Sequence, residues 1–365
     1  MRSVAWLPGD GVGPEVTEGA VAILRDLVPT MTVTGPWPIG ATGFAATGDL
    51  LPAETLRACE EADTILLGAV GEDPDVPTEL CPRPELSLLG LRRALDLSIS
   101  VREVLVPADG TSTVVVRNLL GGAYLPDDTR EESDGIRPAV DRLILEPERI
   151  ATVAQVACDH AAAMPDRRFI SVDKASVYAT SRLWRRVVTE VAERNGVPVD
   201  HVYVDRAAFE LASTRPLPGV LLTEGLFGDI LSDLVSGRAG SPALCGSASL
   251  RPRDTDRASI GCRGLFEPAH GSAPRRARQD RINPAGGLLA LVMLLEDLAP
   301  AESGQGREML ERAASALRRS LVEVLVEGPF TYDLAPEGEG VGTQAFVEAV
   351  HARALMHHSA MEDGS

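Results

Sequence analysis

The stretch GLFGDILSDL, residues 225–234, places two aspartates four positions apart in a run that is otherwise apolar. Side chains four residues apart on a helix project from the same face, so the carboxylates of Asp229 and Asp233 can converge on one point. Two neighbouring carboxylates repel each other, and a hard divalent cation, Mg²⁺ or Mn²⁺, would neutralise them. The alternative is that Gly228 opens the helix and Asp229 caps it. The apolar residues expected to pack the rest of the helix are Leu226, Phe227, Ile230, Leu231 and Leu234.

Composition limits the classes of function. The chain has 365 residues, 44% of them hydrophobic and 24% charged, with a formal net charge of -18. It is long enough for one large or two ordinary domains, each with its own core. A strongly acidic surface repels phosphate groups, so we expect neither a nucleic acid nor an anionic membrane as a partner.

Cysteine usage, the amino-terminal sequence and the length of the longest apolar run favour a soluble cytoplasmic protein. The five cysteines are an odd number with no CxxC spacing, which is typical of a reducing compartment. The start MRSVAWLPGDG lacks the charged and apolar segments of a signal peptide. The longest apolar run, near GGLLALVMLLEDL, is interrupted by Glu296 and Asp297 and is too short to span a bilayer.

Short β-branched runs alternate with longer segments of helical period, a pattern typical of an α/β fold with a mostly parallel sheet. SVAWL and DTILLGAV read as strands, and PEVTEGAVAILRDLV between them as a helix opened by Pro14. The helix in LWRRVVTEVAERNG should end at Gly196. The charged segment PDDTREESDGIRPAVDR shows neither the alternation of a strand nor the period of a helix, and we interpret it as a solvent-exposed excursion from the fold.

The glycine-rich turn LPGDGVGPE lies between the first strand and the first helix. Such a turn can bind phosphate, but Pro14 stands where the third glycine of the dinucleotide fingerprint should fall. No GK[ST] follows any glycine cluster, so the P-loop is excluded. A plain tight turn remains an equal alternative.

Basic side chains at the ends of apolar runs suggest an anionic substrate. Three arginines are placed this way: Arg92, Arg102 and Arg117. Their planar forks match carboxylates, and several together imply a substrate with more than one acid group, although each alone could form a surface ion pair. Lys174 follows the strand in RRFISVDK, where desolvation can make a lysine a base, and Tyr124 after LLGGA is a candidate acid.

Six motifs now form a recognisable series: LPGDGVGPEV, LLGAVG, VVVRNLLGGAY, VDKAS, LFGDILSDL and FEPAHGSAP. In content and order they resemble the β-decarboxylating dehydrogenases of 3-isopropylmalate, isocitrate, homoisocitrate and tartrate, and the isopropylmalate branch is most similar. The resemblance implies a two-domain α/β fold that is not a Rossmann fold, and a homodimer with shared active sites. Residues 1–99 plus 251–365 would bind the cofactor, and residues 100–250 would hold the dimer interface and the metal and substrate site. An arm that clasps the other subunit is expected at about residues 125–148.

The resemblance also implies a role for each candidate residue. The metal ligands would be Asp229 and Asp233, completed across the dimer by Asp205. The ligands of the substrate carboxylates would be Arg92, Arg102 and Arg117. Lys174 would take the proton of the 2-hydroxyl as hydride leaves C2 for the nicotinamide, and Tyr124 would protonate the enol left after loss of CO₂.

The helix before Arg92 is where the resemblance places substrate choice. In RPELSLLGLRR, Glu85, Leu88 and Leu89 match the isopropylmalate-type pattern, in which an apolar pocket receives an alkyl branch. Isocitrate enzymes carry small polar residues there to meet a third carboxylate. The alternative is that the leucines simply pack an amphipathic helix.

The cofactor is predicted to be NADP, with NAD as the alternative. The implied cofactor-binding residues are His270, Gly271, Ser272, Ala273, Arg275, Arg276, Asn283 and Tyr332. The isopropylmalate-type pattern has an aspartate after HGSAP, which would repel a 2′-phosphate, but this chain has Arg275 there. Tyr332 in FTYDL matches a tyrosine of the NADP-dependent isocitrate enzymes, whose arginine four residues later is replaced by Pro336. Otherwise RRAR is only a solvated basic turn.

Four positions depart from the family pattern: Glu103, Asn118, Ser176 and Gly225 stand where the family usually has Pro, Glu, Asn and Asn. By the resemblance these positions surround the nicotinamide and the substrate rather than the metal. They suggest a divergent, pathway-dedicated enzyme for an unusual malate. A catalytically silent regulatory subunit is the rival interpretation, but such subunits typically lose a metal aspartate, the tyrosine or the lysine, and all are present here.

Overall fold

The computed structural model describes residues 2–77, 81, 83–107, 111–124, 128–130, 140–165, 167–213, 219–252 and 262–362. The chain forms two compact units. The first unit comprises residues 1–96, 105–111 and 240–365, and the second comprises residues 97–104 and 112–239. Residues 240–250 fall in the first of these units.

The first unit contains a mixed sheet flanked by helices. Its strands are β1 (Ser3–Gly9), β2 (Thr32–Thr34), β3 (Thr64–Ala69), β11 (Cys245–Leu250) and β12 (Gly264–Pro268). They lie in the order β2-β1-β3-β12-β11, parallel except for the antiparallel pair β11 and β12. Its helices are α1 (Gly13–Leu27), α2 (Ala41–Thr47), α3 (Ala53–Glu61), α4 (Leu86–Ala94), α9 (Ala285–Leu298), α10 (Gly304–Glu327) and α11 (Thr343–Glu362).

The second unit has strands in the order β4-β5-β10-β8-β9. These are β4 (Ile99–Val106), β5 (Thr111–Asn118), β8 (Phe169–Asp173), β9 (Val199–Tyr203) and β10 (Val220–Thr223). Strands β5, β10, β8 and β9 are parallel neighbours. The helices are α5 (Pro147–Ala163), α6 (Ala179–Asn195), α7 (Val204–Ala212) and α8 (Gly225–Ala239).

The expected arm falls in part on residues that can be described. Strands β6 (Asp128–Arg130) and β7 (Val140–Arg142) form an antiparallel pair. Residues 125–127 and 131–139 of the proposed arm lie outside the described residues.

The α/β class and the mostly parallel pairing expected from the sequence are confirmed. Helix α1 begins at Gly13 with Pro14 in its first turn, and α6 ends where Gly196 adopts a left-handed φ of 63°. The apolar run near residue 290 forms α9, whose side chains are almost all buried in the first unit. No helix within the described ranges is long and apolar enough to cross a bilayer. All five cysteines are free and buried.

Candidate active site

The carboxyl ends of the parallel strands in the second unit bring the polar candidates to one edge. Arg117 at the end of β5 lies in register with Thr223 at the end of β10, and Asp173 at the end of β8 lies beside Tyr203 of β9. The segments that follow these strands carry the remaining candidates, as is usual for ligand sites in open α/β sheets.

Helix α8 begins at Gly225, directly after β10, and the capping group is Glu224. Its carboxylate accepts hydrogen bonds from the backbone amides of Leu226 at 3.3 Å and Phe227 at 3.1 Å. The interpretation that Gly228 opens the helix and Asp229 caps it is therefore wrong. Burial raises the pKa of Glu224 despite these amides. Asp229 lies one turn inside the helix and its carboxylate is available for another role.

Asp229 and Asp233 converge on arginines that enter from the strands. Nη1 of Arg117 lies 2.5 Å from Oδ1 of Asp229, and the two terminal nitrogens of Arg102 lie 3.4 Å from Asp229 and 3.5 Å from Asp233. The side chains of Asp229 and Asp233 are 38% and 73% exposed. The two carboxylates thus share one cationic partner and still face solvent.

The three arginines are buried, so the surface ion-pair interpretation is wrong for each. Arg117 is fully buried and donates to Ser100 Oγ at 3.2 Å, while Arg102 donates to Ser232 Oγ at 2.7 Å. Nε of Arg102 is buried, and no hydrogen-bond partner for it stands among the described residues. Buried polar groups are nearly always satisfied, so this donor marks a place for a ligand oxygen.

Arg92 belongs to the first unit. Its Nη2 donates to Glu267 at 2.7 Å and its Nε to Ser249 at 3.2 Å. Both partners come from the antiparallel pair β11 and β12, so the sheet of the first unit fixes this guanidinium.

Tyr124 packs against the start of α8. The guanidinium carbon of Arg117 lies 4.7 Å from the centre of its ring. A Cβ at Gly225 would lie 2.5 Å from Cβ of Tyr124 and 2.6 Å from the carbonyl oxygen of Asn118. Two of the departures from the family pattern, Asn118 and Gly225, therefore meet beside the candidate acid, and glycine is needed for that close approach.

Lys174 pairs with Asp205 of its own chain at 2.5 Å, and this hydrogen bond lowers the pKa of the Asp205 carboxyl. The ammonium also lies 5.8 Å from the centre of the Tyr203 ring, with the guanidinium of Arg185 at 5.2 Å from the same centre. Arg185 in turn forms a double hydrogen bond with buried Asp173, at 2.8 and 2.9 Å. Lys174 thus projects from a rigidly anchored segment.

Two apolar residues expected to pack α8 are exposed instead. Ile230 is 61% and Leu226 39% exposed, whereas Leu231 is buried as expected. Helix α7 lies against α8 and adds Phe209, the most exposed of this group at 65%. Tyr203, the last residue of β9 and the residue directly before α7, is also exposed. Phe209, Leu226 and Ile230 therefore face out of the single chain, although they are apolar.

In the first unit, the loop after β12 lies against the glycine turn after β1. The amide of Val12 donates to the carbonyl of Ser272 at 2.9 Å, and Gly11, with φ of 57°, leaves no room for a Cβ beside that carbonyl. The Asp10 carboxylate accepts hydrogen bonds from amides of Ala41, Thr42 and Gly71 at 2.8–3.1 Å. The turn is therefore filled by its own carboxylate, which favours the tight-turn interpretation over a phosphate cradle.

Other candidate cofactor residues follow in the same loop. His270 contacts the carbonyl of Gly271 through Nδ1 at 3.0 Å, and burial lowers its pKa. Asn283 donates to Asp333 at 3.1 Å and accepts from the amide of Ala285 at 2.9 Å. Ala273 has a left-handed φ of 39°, so the loop bends sharply just before Pro274.

Arg275 and Arg276 lie on a short 3-10 turn and are both exposed. Tyr332, in a separate segment, is 42% exposed and has the guanidinium carbon of Arg281 at 4.4 Å from its ring centre. The sequence singled out the first three of these residues and missed Arg281, because the stacking partner is 51 positions away in the chain.

On α4 the expected pocket residues are not core residues. Glu85 is exposed at the start of the helix, and Leu88 and Leu89 are partly exposed, whereas Leu91 is fully buried. Leu91 is the residue that packs α4 against the core. The interpretation that Leu88 and Leu89 serve only to pack this helix is therefore weakened.

No group of three or more His, Cys, Asp or Glu side chains that could hold a metal ion occurs within the part of the chain that the structure describes. Sequence reasoning missed Glu224 and Asp10. A single acidic residue before a helix or in a turn is too common a pattern to stand out, and glutamate is not one of the residues that favour the position before a helix.

Comparison with known proteins gives consistent matches. The family model described as isocitrate/isopropylmalate dehydrogenase matches residues 3–350. A 3-isopropylmalate dehydrogenase of Deinococcus radiodurans is 39% identical over 96% of this chain and 97% of its own, and one of Bacillus subtilis is 37% identical over 98% of both. A β-decarboxylating dehydrogenase structure from Thermococcus kodakarensis has a TM-score of 0.78 at 30% identity, covering 98% of this chain and 97% of its own. An isocitrate dehydrogenase structure from Methylococcus capsulatus shares the fold, with a TM-score of 0.79 at 24% identity over 97% of this chain and 99% of its own.

Proposed function

The chain belongs to the isocitrate/isopropylmalate dehydrogenase family, and from that membership we propose an NADP-linked enzyme for a malate with an alkyl branch at C3. The reaction class follows from the family and its relatives: a dehydrogenase that oxidatively decarboxylates a 3-substituted malate. The metal, the cofactor, the branch and the roles of single residues are our proposal.

The observation that carries the proposal is that two buried arginines, Arg102 and Arg117, lie beside two solvent-accessible aspartates, Asp229 and Asp233, in the second unit. Asp229 and Asp233 offer only oxygen donors, the set preferred by Mg²⁺ and Mn²⁺. Both side chains are at least partly exposed, and both lie within 3.5 Å of Arg102. The unpaired Nε of Arg102 fits a substrate carboxylate oxygen. Arg117 and, from the first unit, Arg92 are proposed as the other carboxylate ligands, with Asp205 as a further metal ligand.

When bound, the divalent ion would polarise the 2-hydroxyl of the substrate, and the nicotinamide would accept the hydride from C2. The neutral amine of Lys174 would accept the hydroxyl proton. The Asp205 carboxylate, which lies 2.5 Å from the lysine nitrogen, would then hold the resulting ammonium in place. The β-carboxylate leaves as CO₂, and the phenol of Tyr124 donates a proton to C3. Arg117, stacked on the Tyr124 ring, fixes the direction of that phenol.

The branch at C3 is assigned to α4. Leu88 and Leu89 are apolar, partly exposed and adjacent to the turn that carries Arg92. A methylene in an apolar pocket is worth about 1–3 kcal/mol, so such a site selects alkyl groups and penalises a third carboxylate, which it cannot pair.

A homodimer is proposed from the apolar surface of α7 and α8. Phe209, Leu226 and Ile230 are all exposed, and the two helices that carry them pack against each other. Grouped apolar side chains of this size mark interaction surfaces, and a second copy of the chain would bury them. Lys174 and Asp205 would then serve the neighbouring active site.

NADP is proposed from Arg275 and Arg276, which are both exposed. Arg275 stands at the position where the isopropylmalate-type pattern has an aspartate, which would repel a 2′-phosphate. The function as a whole is tested by following nicotinamide reduction and CO₂ release together with 3-isopropylmalate, Mn²⁺ and NADP. We expect one CO₂ per nicotinamide reduced, and loss of both signals on chelation with EDTA. Reduction without CO₂, or turnover that EDTA does not affect, would refute the proposal.

A further inference from the structure

The segments that carry Arg281 and Tyr332 are joined by side-chain hydrogen bonds. Two residues after Arg281, the side-chain amide of Asn283 donates to the Asp333 carboxylate at 3.1 Å, and Asp333 directly follows Tyr332. Asp333 also accepts from Thr331 at 2.6 Å, the residue before Tyr332. The segments that carry the guanidinium and the ring are therefore tied together next to the stack, which has a distance of 4.4 Å.

The phenol ring has a defined position of its own. Gly340 lies under Tyr332, since a Cβ there would be 2.6 Å from its Cα and 2.7 Å from its ring. The amide of Val341 donates to the carbonyl of Phe330 at 2.9 Å, which closes the loop around the tyrosine. With one side packed on glycine, the ring is 42% exposed and carries Arg281.

Arg278, three residues before Arg281, has a different environment. Its guanidinium pairs with Asp75, and its backbone amide donates to Glu15. Asp280 donates its amide to Glu15 at 3.2 Å as well. The backbone between the two arginines is thus held by the Glu15 carboxylate. Within the described residues, the contact of the Arg281 guanidinium is with the Tyr332 ring, not with a carboxylate.

We propose that Arg281, stacked on Tyr332, is a specificity-determining residue that binds the ribose 2′-phosphate of the cofactor. This rests on the proposed use of NADP. The family pattern would place an arginine four residues beyond the tyrosine, and Pro336 occupies that position. Arg281 reaches the same tyrosine from a different segment and supplies the missing positive charge. A guanidinium with a fixed plane binds phosphate through two parallel hydrogen bonds.

The proposal is tested by direct binding to the full-length protein, with NADPH and NADH followed by fluorescence and 2′,5′-ADP and 5′-AMP followed by calorimetry. We expect Arg281→Gln to weaken NADPH and 2′,5′-ADP by about tenfold, equal to about 1.4 kcal/mol, and to change NADH and 5′-AMP less than about twofold. Arg281→Lys keeps the charge and should lose less. Tyr332→Leu removes the ring that orients the guanidinium. In the double variant with Arg281→Gln, NADPH affinity should therefore be little lower than in Tyr332→Leu alone.

Arg278→Gln is the matched control, because it removes an arginine of the same loop whose charge is neutralised by Asp75. It should leave the ratio of NADPH to NADH affinity unchanged. If Arg281→Gln binds NADPH as the wild type does while the wild type prefers NADPH, the role of Arg281 is refuted and the proposed function stands. If the wild type prefers NADH, the NADP assignment itself fails and the role of Arg281 fails with it.

Discussion

The guanidinium of Arg117 lies 4.7 Å above the ring of Tyr124, and the same group contacts Asp229 at 2.5 Å. A single buried arginine thus connects the proposed proton donor with a proposed metal ligand. A cation over a ring contributes about 0.5–2 kcal/mol, depending on burial, and this contact favours one orientation of the phenol.

The contact of Gly225 with Tyr124 predicts a position-specific effect of a single methyl group. In Gly225→Ala, the new Cβ would lie 2.5 Å from Cβ of Tyr124, and such overpacking costs about 1–3 kcal/mol. We expect kcat to fall at least about tenfold as Tyr124 is displaced. Gly237→Ala is the control in the same helix, because nothing lies within 4 Å of its Cβ. It should retain activity and gain up to about 1 kcal/mol of stability. Equal behaviour of the two variants in kinetics and thermal unfolding would contradict this account.

Asp229→Asn and Asp233→Asn should differ in stability while sharing a loss of activity. Each removes a charge proposed to bind the metal, so kcat/KM at low Mg²⁺ should fall by at least about a hundredfold. Only Asp229→Asn deprives the fully buried Arg117 of its carboxylate, which should cost about 1–3 kcal/mol in the free energy of unfolding. Asp159→Asn, an exposed change on α5 of the same unit, serves as the control. Near-normal activity of either variant would remove it from the metal site.

Mixing two inactive variants tests whether active sites are shared between subunits. A Lys174→Ala chain keeps Tyr124, and a Tyr124→Phe chain keeps Lys174, so a hybrid dimer contains one complete site. An equal mixture after subunit exchange should recover about a quarter of wild-type activity, because half of the dimers are hybrids with one of two sites intact. Each variant incubated alone under the same exchange conditions is the control. If no activity returns although mass spectrometry detects hybrids, the two residues act within one chain.

His201 predicts a pH dependence of stability. Burial, and then the nearby charge of Arg185, lower the pKa of His201 below the ordinary histidine value of 6.5. The neutral imidazole contacts Thr189 Oγ1 at 2.9 Å. Because the folded pKa lies below the unfolded one, the contribution is present above about pH 6.5 and is lost as the pH falls through the folded pKa. The free energy of unfolding of the wild type should therefore decline more steeply from pH 7.5 to 5.5 than that of His201→Gln. His160, whose pKa burial also lowers, is common to both proteins and cancels in the comparison. Parallel profiles would mean that His201 is not the titrating group.

The sequence predicted those features that depend on local spacing or on motif order. Asp229 and Asp233 were expected on one helix face because a four-residue spacing fixes this, and both indeed contact Arg102. The end of α6 at Gly196 was predictable because the left-handed C-cap favours glycine.

Features that depend on pairing across the fold were not predictable in this way. The partner of Arg92 is Glu267, 175 positions away, and the stack of Arg281 on Tyr332 spans 51 positions. The exposure of Ile230 and Leu226 contradicted the expectation that apolar residues of α8 pack inward, since periodicity gives the face of a helix and not what covers it.

The chain belongs to a family of dehydrogenases that oxidatively decarboxylate 3-substituted malates, and we expect its substrate to carry an alkyl branch at C3. The most direct test is kcat/KM for a panel of 3-substituted malates, with isopropyl, unsubstituted, carboxymethyl, hydroxyl and phosphonomethyl groups, each measured with NADP and NAD under saturating Mn²⁺. Leu88→Ser serves to connect the outcome to α4. We predict the highest value for the isopropyl compound with NADP, at least about tenfold above the carboxymethyl compound, and a reduced difference in Leu88→Ser. A preference for the carboxymethyl or phosphonomethyl compound, or no turnover of any member of the panel, would contradict the account.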